Sequence, residues 1–569
     1  MMTGKLRKSI FILFVGMVIA GTAGFAGAIS LDKTPETWGR ARMVIFIFGI
    51  FIMLCSVFYY RFADQFAQLR FVNATKASPF RKYLFVIPIF IFVVLIYVWF
   101  VSSGTWIIWN SPTRYYADLA QGFRYGHLFI PTKPDPLLTE LADPYDPANW
   151  RGKIEVPMDI SYYEGRYYLY WGPTPAVILY ALQPFYPGRI GDLFLVFAFV
   201  CGIFLFQILI LIVLWDKYFQ ELPIWMFKLS IWVIGLACPV TFMLGNFKGA
   251  RIYEAAVSGS QFFLVAGLLI VLTEKNTSIS GWRLALVGVL SAFAIGARLI
   301  LVFPVGFLVT MCTLRVLSID ERPLTKFAKL IPLGLPLVLG CALLGWYNLA
   351  RFGSVTESGL YYQLTSGFNI QKHYGELADP RYVLQNLYNY VFYPFEIGSQ
   401  FPFIFPRYAY SAPFFSFYTL PDFYSGQWLT GILWTVPFIV FAFIPLTNLL
   451  LSIFRKQSAV DSDNGQKNML NWTVIVLAGV PLLGFVFLLS FFWSAMRYLD
   501  DFVPALILLS AIGFWQGYQL LLRKEKNIKL YAAVGIVFAI FSIVNSTLLA
   551  ISVNDARFPI IDILSHLTK

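Results

Sequence analysis

Eight carboxylates fall between Thr105 and Trp171: Asp118, Asp135, Glu140, Asp143, Asp146, Glu155, Asp159 and Glu164. Tyrosines and tryptophans interleave with them, most densely in DISYYEGRYYLYWG from Asp159 to Gly172. A carboxylate can take the proton of a hydroxyl nucleophile, and aromatic faces pack against sugar rings. A stretch this acidic and aromatic, set between greasy segments, suits a site for a polar, hydroxylated molecule. Four acids are the candidate bases: Asp118, Asp143, Asp146 and Asp159. Asp143 and Asp146 flank Pro144 and precede Pro147, so one turn can aim both at one locus. The same pattern also fits turn and helix-cap aspartates. Asp159 stands just before the aromatic run, whereas Asp118 falls in an expected amphipathic helix. Glu164-Gly165-Arg166 reads as a hairpin turn. Tyr168 and Trp171 are candidates for stacking on substrate, with interfacial packing as the alternative.

A second set of charges sits at the ends of apolar runs: Arg251 and Glu254, Arg298, Arg351 and Glu357, and Arg497 with Asp500 and Asp501. Ionisable groups there are costly unless used or paired. Guanidiniums can hold a phosphate bidentately and neutralise it as it leaves. Arg298, Arg351 and Arg497 are therefore the expected donor-phosphate ligands, with Arg251, Glu254 and Glu357 as further substrate contacts. Competing roles are headgroup anchoring, an Arg497 pair with Asp500 or Asp501, and an Arg251–Glu254 pair. Together the two sets suit transfer from a lipid-linked phosphosugar. A loop carboxylate activates the acceptor, arginines take the phosphate, and the lipid tail stays in the bilayer.

The elements that must position these groups are membrane helices. Of 569 residues, 58% are hydrophobic and 13% charged, and the mean hydropathy is +0.69. Apolar runs near 20 residues recur, so the class is all-α polytopic membrane protein. Spans are expected near 9–29, 43–60, 83–103, 191–214, 224–244, 257–273, 283–297, 299–314, 330–348, 427–453, 471–491, 500–521 and 530–551, about thirteen in all. A proline-rich segment from Trp171 to Pro187 is too short for a span and reads as re-entrant or interfacial. The first run, which follows Lys5, Arg7 and Lys8, reads as an uncleaved span. Five regions follow: amino-terminal helices 1–103, a first large outer loop 104–190, a central bundle 191–348, a second large outer loop 349–426, and carboxyl-terminal helices 427–569. Lys and Arg in short loops, such as Arg61, Arg70, Lys76, Arg81 and Lys82, place those loops in the cytoplasm and both large loops outside. The five cysteines lie in apolar runs and form no disulfide framework. His127, His373 and His566 show no zinc spacing. The net charge of +13 is a topology signal and gives no argument for nucleic acid. Paired acids could hold a divalent cation, Mg or Mn, but no spacing demands one and no metal ligand is named.

Seven stretches in order, YYADLAQGF, LADPYDP, DISYYEGRYYLYWGPTPA, RIYEAA, AIGARLILVFP, YNLARFGSVTESGLYYQL and RYLDDFVP, resemble recurring features of the GT-C glycosyltransferase superfamily. The resemblance runs from about 100 to 510. It implies a polyprenyl-phosphate-linked sugar donor and inverting transfer of a monosaccharide. The acceptor would be a lipid-linked glycan, an envelope polysaccharide or a protein, outside the cytoplasm. The motif style points to a bacterial plasma (inner) membrane. Two departures stand out. The superfamily places an acid just after the span before its first outer loop, where this chain has Trp109-Asn110-Ser111-Pro112 and then Asp118 as the nearest carboxylate. There is also no WWDYG-like oligosaccharyltransferase signature. One alternative is an O-antigen-type polymerase or ligase acting on diphosphate-linked oligosaccharides. A lipid or solute transporter is another, and it would put charges mid-span.

Overall fold

A computed structural model describes residues 4–26, 83–157, 159–185, 190–245, 251–274, 279–409, 417–454, 464–525 and 527–553, with isolated positions between 42 and 56 and residue 414. The chain forms two compact units, residues 1–92 with 178–190, and residues 93–177 with 191–569. In the first, α1 (Gly4–Gly24) packs on the segment around Gly49 and Met53, where small residues let the backbones meet. Ser9 and Ser56 share a hydroxyl hydrogen bond of 3.1 Å, and Arg42 Nε donates to Ala23 O at 2.7 Å. Most of the expected span 43–60, with Cys55, and the basic loop 61–82 lie outside the described residues, as do Lys248, Lys275 and His566.

The second unit holds the rest, with the helices Val86–Val101 and Thr174–Leu182 each running across a boundary between the units. Following α2 (Val86–Val101), the expected loop helix α3 (Tyr115–Arg124) is present, then β1 (Ile160–Tyr163) and β2 (Arg166–Tyr168). The hairpin between them is the expected one. Tyr163 pairs with Arg166, and Glu164 (φ 47°) and Gly165 (φ 71°) are both left-handed, the two-residue turn that matches strand twist. Next, α4 (Thr174–Leu182) has nine residues, about 13 Å, and is too short to cross a bilayer.

The long helices are α5 (Asp192–Tyr218), α6 (Ile224–Leu236), α7 (Ile252–Leu272), α8 (Gly281–Ala297), α9 (Val302–Leu317) and α10 (Pro323–Phe352). In α7 nearly every residue from Glu254 to Leu268 is buried, as expected for a helix that is apolar all round. In α10 the opposite holds: Leu324, Phe327, Ile331, Leu335, Val338 and Leu343 are exposed, a surface that fits lipid and not water. The second loop adds β3 (Gln363–Leu364), which pairs with the far edge of β1, so the sheet order is β2-β1-β3. It also adds β4 (Ser425–Gly426), parallel to β5 (Trp493–Ser494). The intervening α11 (Asn464–Leu489) ends against Asn386, whose amide donates to the carbonyls of Leu488, Leu489 and Phe491. The chain closes with α12 (Val503–Arg523) and α13 (Ile528–Ser552).

Among the described residues, eight helices are long and apolar enough to cross a membrane. Four more apolar helices, Ser9–Gly24, Val86–Val101, Gly281–Ala297 and Pro437–Ser452, are shorter. The protein is therefore multi-pass by length and composition. The expected thirteen spans reach that standard at eight places. The difference lies in helices under 18 residues and in the second span, most of which is outside the described set.

Candidate active site

The site collects where α7, α8 and α12 begin or end on one side of the second unit. A backbone contact sets its floor. A Cβ on Gly172 would stand 2.1 Å from Gly296 O, so only glycine lets the Trp171 segment lie against the end of α8. This contact brings Trp171 to Arg298, whose guanidinium is 5.9 Å from the indole ring and 5.1 Å from the Tyr498 ring. Arg298 Nη2 donates to Asp501 Oδ2 at 2.8 Å, and both residues are buried. Arg497 lies 4.6 Å from the Tyr253 ring and, like Arg298, 5.1 Å from the Tyr498 ring. Its Nη1 donates to Gln427 Oε1, whose chain position is fixed by β4 and β5.

Asp159 is half-buried at the mouth of β1. Its backbone is left-handed (φ 57°), a conformation that aspartate tolerates better than most residues, and its N–H is tied to Leu364 O at 3.2 Å. Its carboxylate accepts from Tyr253 OH and from Gln363 Nε2 at 2.9 Å. Burial pushes its pKa up, while Arg497, the Gln363 hydrogen bond and Arg251 pull it back. Tyr115, on α3, has Asp159, Asp192 and Arg251 within electrostatic reach, along with Asp118 one turn further on its own helix.

Four buried donors in this cluster have no hydrogen-bond partner among the described residues: Trp171 Nε1, Arg251 Nε, Arg298 Nη1 and Arg497 Nε. One acceptor, Asp501 Oδ1, is in the same state. Buried polar groups are nearly always bonded, so four idle donors against one idle acceptor call for a ligand rich in acceptor oxygens.

Asp500 and Asp501 are adjacent and buried, in a 3-10 turn (Met496–Asp501) before α12. Burial and then the Asp501 charge push Asp500 up to about 8, with Arg298 opposing. Burial also lifts Asp501, to about 6, against Arg298 and Arg497. A folded-state pKa above the unfolded value means stability that is full at low pH and lost as pH rises through the folded pKa. We predict that thermal stability falls between about pH 4 and 8 through Asp500, and that Asp500→Asn flattens this fall. An unchanged slope in the variant sinks the assignment.

The other expected residues take different places. Asp143 is a turn aspartate, accepting from Tyr145 N at 3.0 Å and Asn369 Nδ2 at 3.2 Å. Asp146 caps a one-turn helix through Ala148 N and pairs with exposed Lys372 at 2.9 Å, and these contacts hold its pKa low. Their facing partners belong to the second loop and not to the arginine cluster. Arg351 corrects the expectation of a phosphate ligand. Its guanidinium is taken up by Leu169 O (2.6 Å), Tyr347 O (3.2 Å), Asn348 Oδ1 (2.8 Å) and Ser358 O (3.2 Å), clamping the two loops together. Glu357 accepts from Gly359 N at 2.6 Å and Tyr361 N at 3.4 Å through one carboxylate oxygen, capping its own loop. Tyr168 is buried between Phe352 and Phe129, packed away from any sugar. Glu254 is buried, accepts the backbone N–H of Arg251 at 2.9 Å and faces Arg497. Asp501, read as a partner of Arg497, pairs with Arg298 instead.

Tyr253, Gln363, Gln427 and Tyr498 were not singled out, because neutral amides and phenols carry no charge signal. Asp192 was also missed. It stands at the start of α5. Buried, it accepts from Thr113 Oγ1, Tyr115 N (3.1 Å) and Tyr116 N (3.3 Å), capping α3. These bonds tie α3 to the start of α5, a structural role. Among the described residues no three His, Cys, Asp or Glu side chains converge on a metal position, and no step is assigned to Mg or Mn.

No family model and no curated protein matches the chain. Two solved structures of the Archaeoglobus fulgidus oligosaccharyltransferase are similar to it. One is the apo form (TM-score 0.38), the other the AglB complex with an inhibitory peptide and a dolichol-phosphate (TM-score 0.41). Each is 13% identical and matches 84% of this chain and 56% of the solved one, so this chain spans a little over half of their length.

Proposed function

We propose that the protein is an integral-membrane glycosyltransferase that moves a monosaccharide from a polyprenyl-phosphate donor to a hydroxyl acceptor outside the cytoplasm. The observation that carries this is the set of four idle donors on Trp171, Arg251, Arg298 and Arg497, gathered beside a half-buried carboxylate at helix ends. A phosphate held at membrane level supplies acceptor oxygens for those donors, and its lipid tail can lie in the bilayer. The rings of Tyr253, Tyr498 and Trp171 offer faces to the sugar.

The chemistry follows from that placement. Asp159 takes the proton of the acceptor hydroxyl. The resulting oxygen attacks the anomeric carbon as the bond from that carbon to the phosphate oxygen breaks. The electron pair goes to the phosphate, where the arginines meet the growing charge. Attack opposite the leaving group inverts the anomeric centre. Asp118 stands second to Asp159 as base. Asp159 is preferred because Tyr253, Gln363 and Arg497 all orient it or face it. A glycan, a lipid or a protein can present the acceptor hydroxyl. Basic residues at the opposite helix ends support an extracytoplasmic site in a bacterial plasma membrane.

The test is transfer by purified protein in lipid, with a panel of radiolabelled polyprenyl-phosphate monosaccharides. One donor should be consumed, and Arg497→Ala should lower turnover roughly 100- to 1,000-fold. Asp143→Asn and Asp146→Asn should stay within about threefold of the parent, because surface caps and pairs contribute little. Consumption of diphosphate-linked oligosaccharides in place of every monosaccharide donor would overturn the reading in favour of a polymerase or ligase.

A further inference from the structure

The far ends of the same helices carry a second concentration of charge. α7 has 21 residues, which puts Glu274 about 30 Å along the axis from Arg251, and α8 likewise separates Arg283 from Arg298. At this far end Arg283 Nε pairs with Glu274 Oε2 at 3.2 Å. Arg315, in the last turn of α9 and 7% exposed, lies over the Trp472 ring at 4.8 Å. Lys217, in the last turn of α5, lies 5.2 Å from the Tyr218 ring. Arg315 has Tyr218, Glu274 and Arg283 within electrostatic reach, and Lys217 has Arg315 and Glu274. Among the described residues, Arg283, Arg315 and Lys217 all have Glu274 within electrostatic reach. Two buried donors beside them, Tyr218 OH and Trp472 Nε1, have no hydrogen-bond partner among the described residues.

Packed like charges repel unless an anion joins them, and idle buried donors call for an acceptor. We infer that this cluster is a second anion site, which holds the phosphate of an anionic lipid headgroup. A headgroup fits better than a free ion because every residue sits at the end of an apolar helix, at the depth where headgroups lie. The cations neutralise the phosphate, and the phenol and indole donate to its oxygens. The site is separate from the transfer site and does not depend on that function.

Native mass spectrometry of the full-length protein, released from nanodiscs of phosphatidylglycerol or of phosphatidylcholine, tests this. The parent should retain phosphatidylglycerol and release phosphatidylcholine. Arg315→Gln should cut retention about tenfold, the loss expected for one charge-assisted contact. Trp472→Phe keeps the ring and removes only the N–H, and Lys217→Gln changes a less buried cation. Both should lower retention by a smaller factor with unchanged thermal unfolding, so the inference stays testable if Arg315→Gln fails to fold. Equal retention of the two lipids, or full retention in Trp472→Phe and Lys217→Gln, overturns it. Displacement of the lipid by millimolar inorganic phosphate, with phosphate then bound, overturns the headgroup assignment in favour of a free-anion site.

Discussion

Asp159→Asn is expected to lower turnover roughly 100- to 10,000-fold, the range spanned by loss of a general base. The amide keeps the shape of the carboxylate but cannot accept a proton. Its oxygen can still accept from Gln363 or Tyr253, so unfolding should change little. The pH profile gives an independent check. Burial raises the Asp159 pKa, so the parent's rate should climb with pH through a limb above the ordinary carboxylate range. That limb should vanish in the variant. A variant that keeps both the limb and the rate would move the base to Asp118. A variant that loses rate along with cooperative unfolding would make Asp159 a structural anchor only.

The largest stability effect is expected at Arg298. Removing one partner of a buried ion pair strands the other, at a cost of about 3–5 kcal/mol. Asp501 is 2% exposed and would be the stranded group. Arg298→Met should therefore unfold the protein at much lower temperature. Lower pH should restore part of the loss, because the stranded carboxyl, already lifted to about 6, can then bind a proton. The double variant Arg298→Met/Asp501→Leu should recover most of the stability and none of the transfer. Stability that stays low in the double variant would show that the pair is not the main interaction of Arg298. Transfer that returns with stability would remove Arg298 from phosphate binding.

Helices were legible in the sequence because their signal is apolar length, and the expected spans fall on apolar helices wherever residues are described. The hairpin at Glu164-Gly165 was legible because two left-handed residues need such types. Charge at helix ends pointed to Arg251, Arg298 and Arg497, which do come together. Partner choice was not legible. Arg351 and Arg298 look alike in sequence, yet every nitrogen of one guanidinium is bonded within the protein and the other keeps an idle donor. That difference depends on which loop folds over which helix end, and local spacing carries no such information. The same holds for Asp143 and Asp146, where turn chemistry and catalysis ask for one residue type at one spacing. Asp192 hid for a related reason: it serves a helix 76 residues earlier in the chain.

The order of β2, β1 and β3 has a consequence for biosynthesis. Gln363 reaches Asp159 across 204 residues, and Arg497 comes from still later in the chain. As a ribosome delivers the chain from its amino end, Asp159 emerges early and waits, with no amide to orient it and no guanidinium facing it. The last third of the polypeptide is what completes the constellation. On the proposed function, a nascent chain threaded halfway into the membrane holds its general base without the groups that orient and face it.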